Sequence, residues 1–321
     1  MTRYRTTLPV AGLLLILGAT LGRGEQEEKV AASIPSPQEF TIRTTSRLVL
    51  LDVSVKDSAG GFVSGLTKQN FKVYEDGKLQ QISQFADVDI PVTVGLLVDE
   101  SGSMRNKRPE VITAALAFIQ ASNPMDEIFV INFNEHPYRG LPEGVLFSDN
   151  TRQLRAALGQ GNPEGRTALY DAITMGLHQL DQGRRDKKTL VVISDGGDNH
   201  SKSTLPEVTH DVLASVATIY TIGIYDPDDP EKNPSVLRRL AHVSGGSSHF
   251  PASLSEIVPI CRQIAKDIRT RYTIGYIPPE TGPQQRHIRV VAVGPDSRKL
   301  NVRTRTNYWY GSGDSAAGGS K

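Results

Sequence analysis

The stretch from Pro91 to Met104, PVTVGLLVDESGSM, leaves this chain few folds to choose from. Every residue from Val92 to Val98 is apolar, glycine or threonine, and most are β-branched, which suits a strand buried on both faces of a parallel sheet. That strand ends on Asp99, with Ser101 and Ser103 at alternate positions behind it. A helix is predicted next: Pro109 suits a first turn, and Val111, Ile112, Ala115, Leu116, Phe118 and Ile119 recur with helical period. Ligands of open α/β sheets lie beyond the carboxyl ends of the strands, where neighbouring loops diverge. A carboxylate and two hydroxyls at that place are hard oxygen donors suited to Mg²⁺ or Ca²⁺.

Two more segments extend the pattern. KTLVVISDGGDN, Lys188 to Asn199, reads as another buried strand ending on a carboxylate, Asp195, with glycines that let the backbone turn sharply. PEGRTALYDAI sets Thr167 in a loop just before a helix whose apolar face is Leu169, Ile173, Leu177 and Leu180. Together the segments resemble the von Willebrand factor type A domain over roughly Pro91 to Arg269. Asp99, Ser101 and Ser103 match its DxSxS motif, and Thr167 and Asp195 match the threonine and aspartate of its metal-ion-dependent adhesion site. The resemblance implies that Ser101 and Ser103 ligate a divalent cation directly. It implies further that Thr167 joins them at least in the bound state, and that Asp99 and Asp195 act partly through waters. Mg²⁺ is the implied cofactor, with Mn²⁺ or Ca²⁺ as alternatives, and the implied partner is a protein that presents Asp or Glu to the ion.

Glu100, Arg166 and Asp198 are candidates for contacting the ligand or supporting the ion from outside. Arg166 stands where the resembled family often has glycine; it either pairs with Glu100 or helps hold an acidic ligand, and the sequence leaves both open. By residue type alone, Ser101, Ser103 and Thr167 also suit helix caps. Asp198 and Asn199 equally suit capping of the loop that follows.

The fold class expected is α/β: a Rossmann-like von Willebrand factor A domain, its central, mostly parallel sheet flanked by helices, inserted in a small β-sandwich built from N- and C-terminal flanking strands. The resemblance implies strand order 3-2-1-4-5-6, with the third strand antiparallel at the edge. The boundaries read as an N-terminal β segment 40–88, the A domain 89–270 and a C-terminal β segment 271–310. In the first flank, Val49, Leu51, Val53 and Val55 alternate with polar or exposed-type positions, and Asp76-Gly77 signals a hairpin. In the second, RYTIGYI, RHIRVVAV and KLNVRTRT read as strands. Neither flank alone is long enough for a secure core, so the two are expected to share one. Residues 45–310 as a whole also resemble the A-domain-related family common among acidobacterial secreted proteins, through VSGLTKQNFKVYEDGKLQQI and YTIGYIPPETGPQQRHIRVVA.

At the N-terminus, Arg3 and Arg5 precede a short apolar run, Leu8 to Leu21, which reads as a secretory signal over residues 1–24. A polar leader with Pro35 and Pro37 covers 25–39, and a small-residue tail covers 311–321. Export to the periplasm or outside the cell follows, with no membrane span in the cleaved chain. The 321 residues carry 36 basic and 35 acidic side chains; loss of the signal leaves 33 against 35. Such a balance gives no reason to expect nucleic acid as a partner. The lone Cys261 excludes an intrachain disulfide framework and reads as a buried thiol.

No enzyme signature emerges. Aspartyl-nucleophile phosphatases need a second acid where this chain has Ser101, and no G-x-S-x-G elbow, HExxH or phosphate-cradling loop occurs. His200 reads as a solvent-facing loop residue, and the acidic run Asp226 to Pro234 as a solvated connection. The function expected is an exported, metal-dependent protein-binding module. An exported enzyme or enzyme accessory with an unrecognised site is the alternative.

Overall fold

The structure, a computed structural model, describes residues 48–225 and 232–310. The expected signal 1–24, leader 25–39, start of the first β segment, most of the acidic loop and tail 311–321 lie outside the described residues. The first strand, β1 (Val49–Lys56), buries Leu51, Val53 and Val55 as its alternation requires. A hairpin of β2 (Phe71–Glu75) and β3 (Lys78–Gln80) turns at Asp76 and Gly77, whose φ values of 45° and 79° are those a two-residue hairpin loop demands. β4 (Ile82–Ala86) then crosses to the sheet of β1.

The α/β domain follows. β5 (Val92–Asp99) is buried at every position and leads to α1 (Arg108–Ala121). β6 (Glu127–Phe133) and the short β7 (Pro137–Arg139) come next, then α2 (Thr151–Leu158), capped by the Asn150 side chain. After α3 (Leu169–Leu180) and β8 (Lys187–Ser194), a Thr204/Glu207 capping box starts α4 (Leu205–Ala214). β9 (Thr218–Gly223), α5 (Pro234–Ser244), β10 (Ser248–His249) and α6 (Ile257–Arg269) complete it. The sheet runs β7-β6-β5-β8-β9-β10, parallel except for β7 at its edge. That is the order 3-2-1-4-5-6 expected from the resemblance.

The chain closes with β11 (Tyr272–Tyr276), β12 (Gln285–Ala292), β13 (Asn301–Arg303) and β14 (Asn307–Trp309). β14 has no forerunner in the sequence pattern. The flanking strands form two antiparallel sheets, β13-β1-β11-β4 and β14-β12-β2-β3. Each sheet mixes strands from both flanks, and Leu51, Val53, Phe71, Val73, Tyr272, Ile274 and Ile288 share one apolar core. Neither flank could bury these faces alone. Deleting residues 271–310 would remove the β11 and β13 partners of β1. The amides of Val49–Val55 are therefore expected to lose their protection in hydrogen exchange, and protection that persisted would mean that another element holds β1.

Asp267, on α6, ties this sandwich to the α/β domain. Its buried carboxylate accepts hydrogen bonds from Ser54 Oγ of β1 and Tyr220 Oη of β9, both at 2.6 Å, and from Arg271 Nη2 at 3.3 Å. Arg303 of β13 donates a fourth. Burial alone would raise its pKa, but the Arg271 and Arg303 guanidiniums and the two hydroxyls bring it down to about 2. No helix among the described residues is long and apolar enough to cross a membrane.

Candidate functional site

The site is built where β5 and its neighbour β8 end. Both strands run parallel, so both deliver their last side chains to the same edge of the sheet. Asp99 ends β5 and is 3% exposed. One of its carboxylate oxygens accepts from the Ser101 N–H at 2.9 Å, the other from Ser194 Oγ at 2.6 Å. The backbone then tightens into a turn of 3₁₀ helix, Gly102–Lys107, which stacks the two serines: their hydroxyl oxygens are 3.1 Å apart. Ser103 Oγ donates to Asp195 Oδ2 at 2.5 Å, and Asp195 Oδ1 accepts from the Gly197 N–H at 2.9 Å. The turn behind Asp195 needs Gly196, whose φ is +84° and whose added Cβ would lie 2.5 Å from the Asn233 carbonyl oxygen.

Thr167 arrives from the loop before α3. Its N–H donates to Asn199 Oδ1 at 2.9 Å, and its carbonyl accepts from the Asn199 and His200 N–H groups at 3.0 Å. The same loop is joined to the serine turn through the Gly102 N–H, which donates to the Gly165 carbonyl at 3.2 Å. Thus Asp99, Ser101, Ser103 and Asp195 are in one hydrogen-bonded group, and the Thr167 loop is bonded to the turn that carries them. Asp198 binds the start of α3. It accepts from the Tyr170 N–H at 2.9 Å, near the start of α3, and from Ser201 Oγ at 2.6 Å, which caps the helix.

Glu100 is paired with Arg108 and Tyr138, not with Arg166. It is 1% exposed; Arg108 Nη2 lies 2.8 Å from Oε1, and the Tyr138 hydroxyl donates to Oε2. Burial pushes its pKa up, opposed by Tyr138 and Arg108. Arg166 is exposed and forms no ion pair among the described residues.

The electrostatics of the group favour a cation. Burial, and then the charge of Asp195, push the Asp99 carboxyl up to about 7, against the pull of the Ser101 and Ser194 hydrogen bonds. A divalent cation between these carboxylates would offset both causes, and the donors fit one: two serine hydroxyls and two carboxylates, all oxygen. Among the described residues no three His, Cys, Asp or Glu side chains form a metal-binding group, so a cation held by Asp99 and Asp195 would draw on the hydroxyls as well. A cavity of about 210 Å³ lined by Leu50, Phe85, Ile90, Lys187 and Val216 sits at the amino end of β8, away from Asp195.

Sequence reasoning missed Ser194 as the hydroxyl that holds Asp99. Its signal is a polar residue closing the otherwise apolar run of β8. It also missed Arg108 and Tyr138 as the partners of Glu100, for which sequence offers no signal.

Residues 94–197 match the profile of the von Willebrand factor type A domain. The uncharacterized protein sll0103 of Synechocystis sp. is 26% identical over 230 residues, covering 68% of this chain and 52% of that protein. The chain therefore spans about half the length of this curated relative. A solved structure, the von Willebrand factor type A protein from Catenulispora acidiphila, superposes with a TM-score of 0.51 at 14% identity. It covers 84% of this chain and 75% of its own, a likeness of fold.

Proposed function

We propose that this chain is an exported protein-interaction module that captures an Asp or Glu side chain of a partner protein through a divalent cation, Mg²⁺ first. The observation that carries this reading is the meeting of two buried carboxylates, Asp99 and Asp195, with the Ser101 and Ser103 hydroxyls at one edge of the sheet. The match of residues 94–197 to the A-domain profile supports it. Asp99, Ser101, Ser103, Thr167 and Asp195 would hold the ion, with Mn²⁺ or Ca²⁺ as alternatives. Bound there, the cation would supply positive charge and an open coordination position to an incoming carboxylate.

The chain's own residues would do the rest. Ser101 and Ser103 are neutral donors, so they leave charge on the ion for the partner to neutralise. Asn199 fixes the backbone of Thr167. Exposed Arg166, next to Thr167, would fork two hydrogen bonds onto the partner's carboxylate. Glu100 orders the turn by binding Arg108 and Tyr138. None of these roles makes or breaks a covalent bond, and the module is read as non-enzymatic. Export rests on the basic start and apolar run at the N-terminus.

Calorimetric titration of the purified chain with Mg²⁺ tests the reading. One site is expected, abolished by Asp99→Ala and weakened by Ser103→Ala. Proteins captured from an extracellular extract in Mg²⁺ should release on chelation, and Arg166→Ala should weaken capture by ~1–3 kcal/mol. Mg²⁺ affinity unchanged by Asp99→Ala, or capture indifferent to chelation, would sink the proposal.

A further inference from the structure

Beside the oxygen-rich group, two loops bring a pair of imidazoles together. His136 follows β6 and His200 follows β8, and their ring centroids are 5.5 Å apart with planes at 62°. Both are anchored to the Thr167 segment. The His200 N–H donates to the Thr167 carbonyl at 3.0 Å, and the Asn134 carbonyl, two residues before His136, accepts from the Ala168 N–H at 2.7 Å. The His136 N–H is held in turn by Asn134 Oδ1 at 3.4 Å. The pair is thus set by backbone bonds on both sides of one short segment.

Their separation fits a shared ion. Zn²⁺ binds imidazole nitrogen at about 2.0–2.1 Å in tetrahedral geometry, which sets the centroids of two rings on one ion about 5 Å apart. The observed centroid spacing is within a few tenths of an ångström of that value, and an exposed and a half-buried side chain can turn to bring one nitrogen of each ring onto a common ion. Neither imidazole has a side-chain hydrogen bond to another described residue, so each keeps a nitrogen lone pair for a metal. Imidazole selects late first-row ions, whereas hydroxyls and carboxylates select Mg²⁺, Ca²⁺ and Mn²⁺.

We propose that His136 and His200 form a second cation site, separate from the hydroxyl–carboxylate group and selective for ions of the Zn²⁺ class. Two tetrahedral positions stay open on such an ion, for water or for a donor from a partner. The interacting edge would then carry two unlike metal anchors on neighbouring loops.

The test is calorimetric titration of the full chain with Zn²⁺ in excess Mg²⁺, on the unaltered protein and on Asp99→Ala, His136→Ala and His200→Ala. Each histidine variant is expected to lower Zn²⁺ affinity by ~10-fold or more, since two ligands cannot be reduced to one without losing the chelate. Asp99→Ala should leave Zn²⁺ binding in place. A separate Mg²⁺ titration should be unchanged in both histidine variants, which also shows that they fold. Zn²⁺ binding indifferent to both histidines would overturn the proposal and leave the pair an aromatic contact only. So would Zn²⁺ binding lost in Asp99→Ala alone, which would assign the zinc to the oxygen donors. A protein that binds Zn²⁺ through the histidines but shows no Mg²⁺ site would refute the function proposed above and leave this inference standing.

Discussion

Asp99→Asn is expected to make the metal-free chain more stable at neutral pH while removing its affinity for Mg²⁺. Asp99 is 3% exposed, and burial followed by the charge of Asp195 raises its pKa from 3.8 to about 7. The folded state therefore holds the proton more tightly than the unfolded one. This group's contribution is most favourable below pH 3.8 and is lost as the pH rises towards 7. Above that the ionised carboxylate costs the fold on the order of 4 kcal/mol, at about 1.4 kcal/mol per pKa unit. The neutral amide of the variant carries no such charge. Asp126, raised by burial to about 6, has the same sign but is common to both proteins and cancels in their difference. Chemical denaturation in chelator at pH 4.5, 6 and 8 should show the Asp99→Asn advantage growing with pH. Added Mg²⁺ should raise the stability of the unaltered chain alone, because only it binds the ion. Parallel pH profiles for the two proteins would remove the electrostatic account of the site.

Removing the Asp267 carboxylate should have the largest structural cost. Asp267→Ala would leave Arg271, 2% exposed, without its carboxylate, together with the hydroxyls of Ser54 and Tyr220. Breaking a buried pair from one side costs about 3–5 kcal/mol, because the remaining charge stays buried. Replacing Arg271 by methionine in the same protein should return part of that loss. The pH dependence has the opposite sign to that of Asp99. The folded pKa, about 2, lies below the ordinary 3.8, so the stabilisation is present above pH 3.8 and is lost as the pH falls through 2. Asp267→Ala should therefore flatten the acid limb of the stability curve. Trp309, the one tryptophan, packs against His210 of α4 with ring centroids 4.9 Å apart and offers a fluorescence readout beside the junction. A loss under about 1 kcal/mol would mean that Asp267 is not what holds the two layers together.

The strands that matter, and the residues at their ends, were legible in the amino-acid order. β5 and β8 are buried on both faces, so their apolar runs are continuous, and the return of polarity marks the edge where Asp99 and Asp195 stand. Thr167 was legible for a similar reason, as a hydroxyl between a turn-rich loop and the apolar face of α3. The alternation in β1, β2, β11 and β12 announced two flanks that need each other's faces. The sheet order came through resemblance to known domains, since periodicity records which face is buried and not which strand lies alongside.

The pairings of charged and polar groups came from the packing of the whole molecule. Along the chain Glu100 has Arg166 as a candidate partner across the turn, yet Arg108 and Tyr138 hold it, because the turn of 3₁₀ helix carries the start of α1 to its side and the pairing of β7 with β6 brings Tyr138. Asp267 sits in a helix whose apolar face reads as ordinary amphipathy, and nothing local tells that Ser54, Tyr220, Arg271 and Arg303 converge on it. His136 and His200 are likewise strangers along the chain and neighbours in space. Local pattern encodes burial and the hydrogen bonds made inside an element. Partners across layers depend on how those elements pack, and that is settled only when the whole core forms.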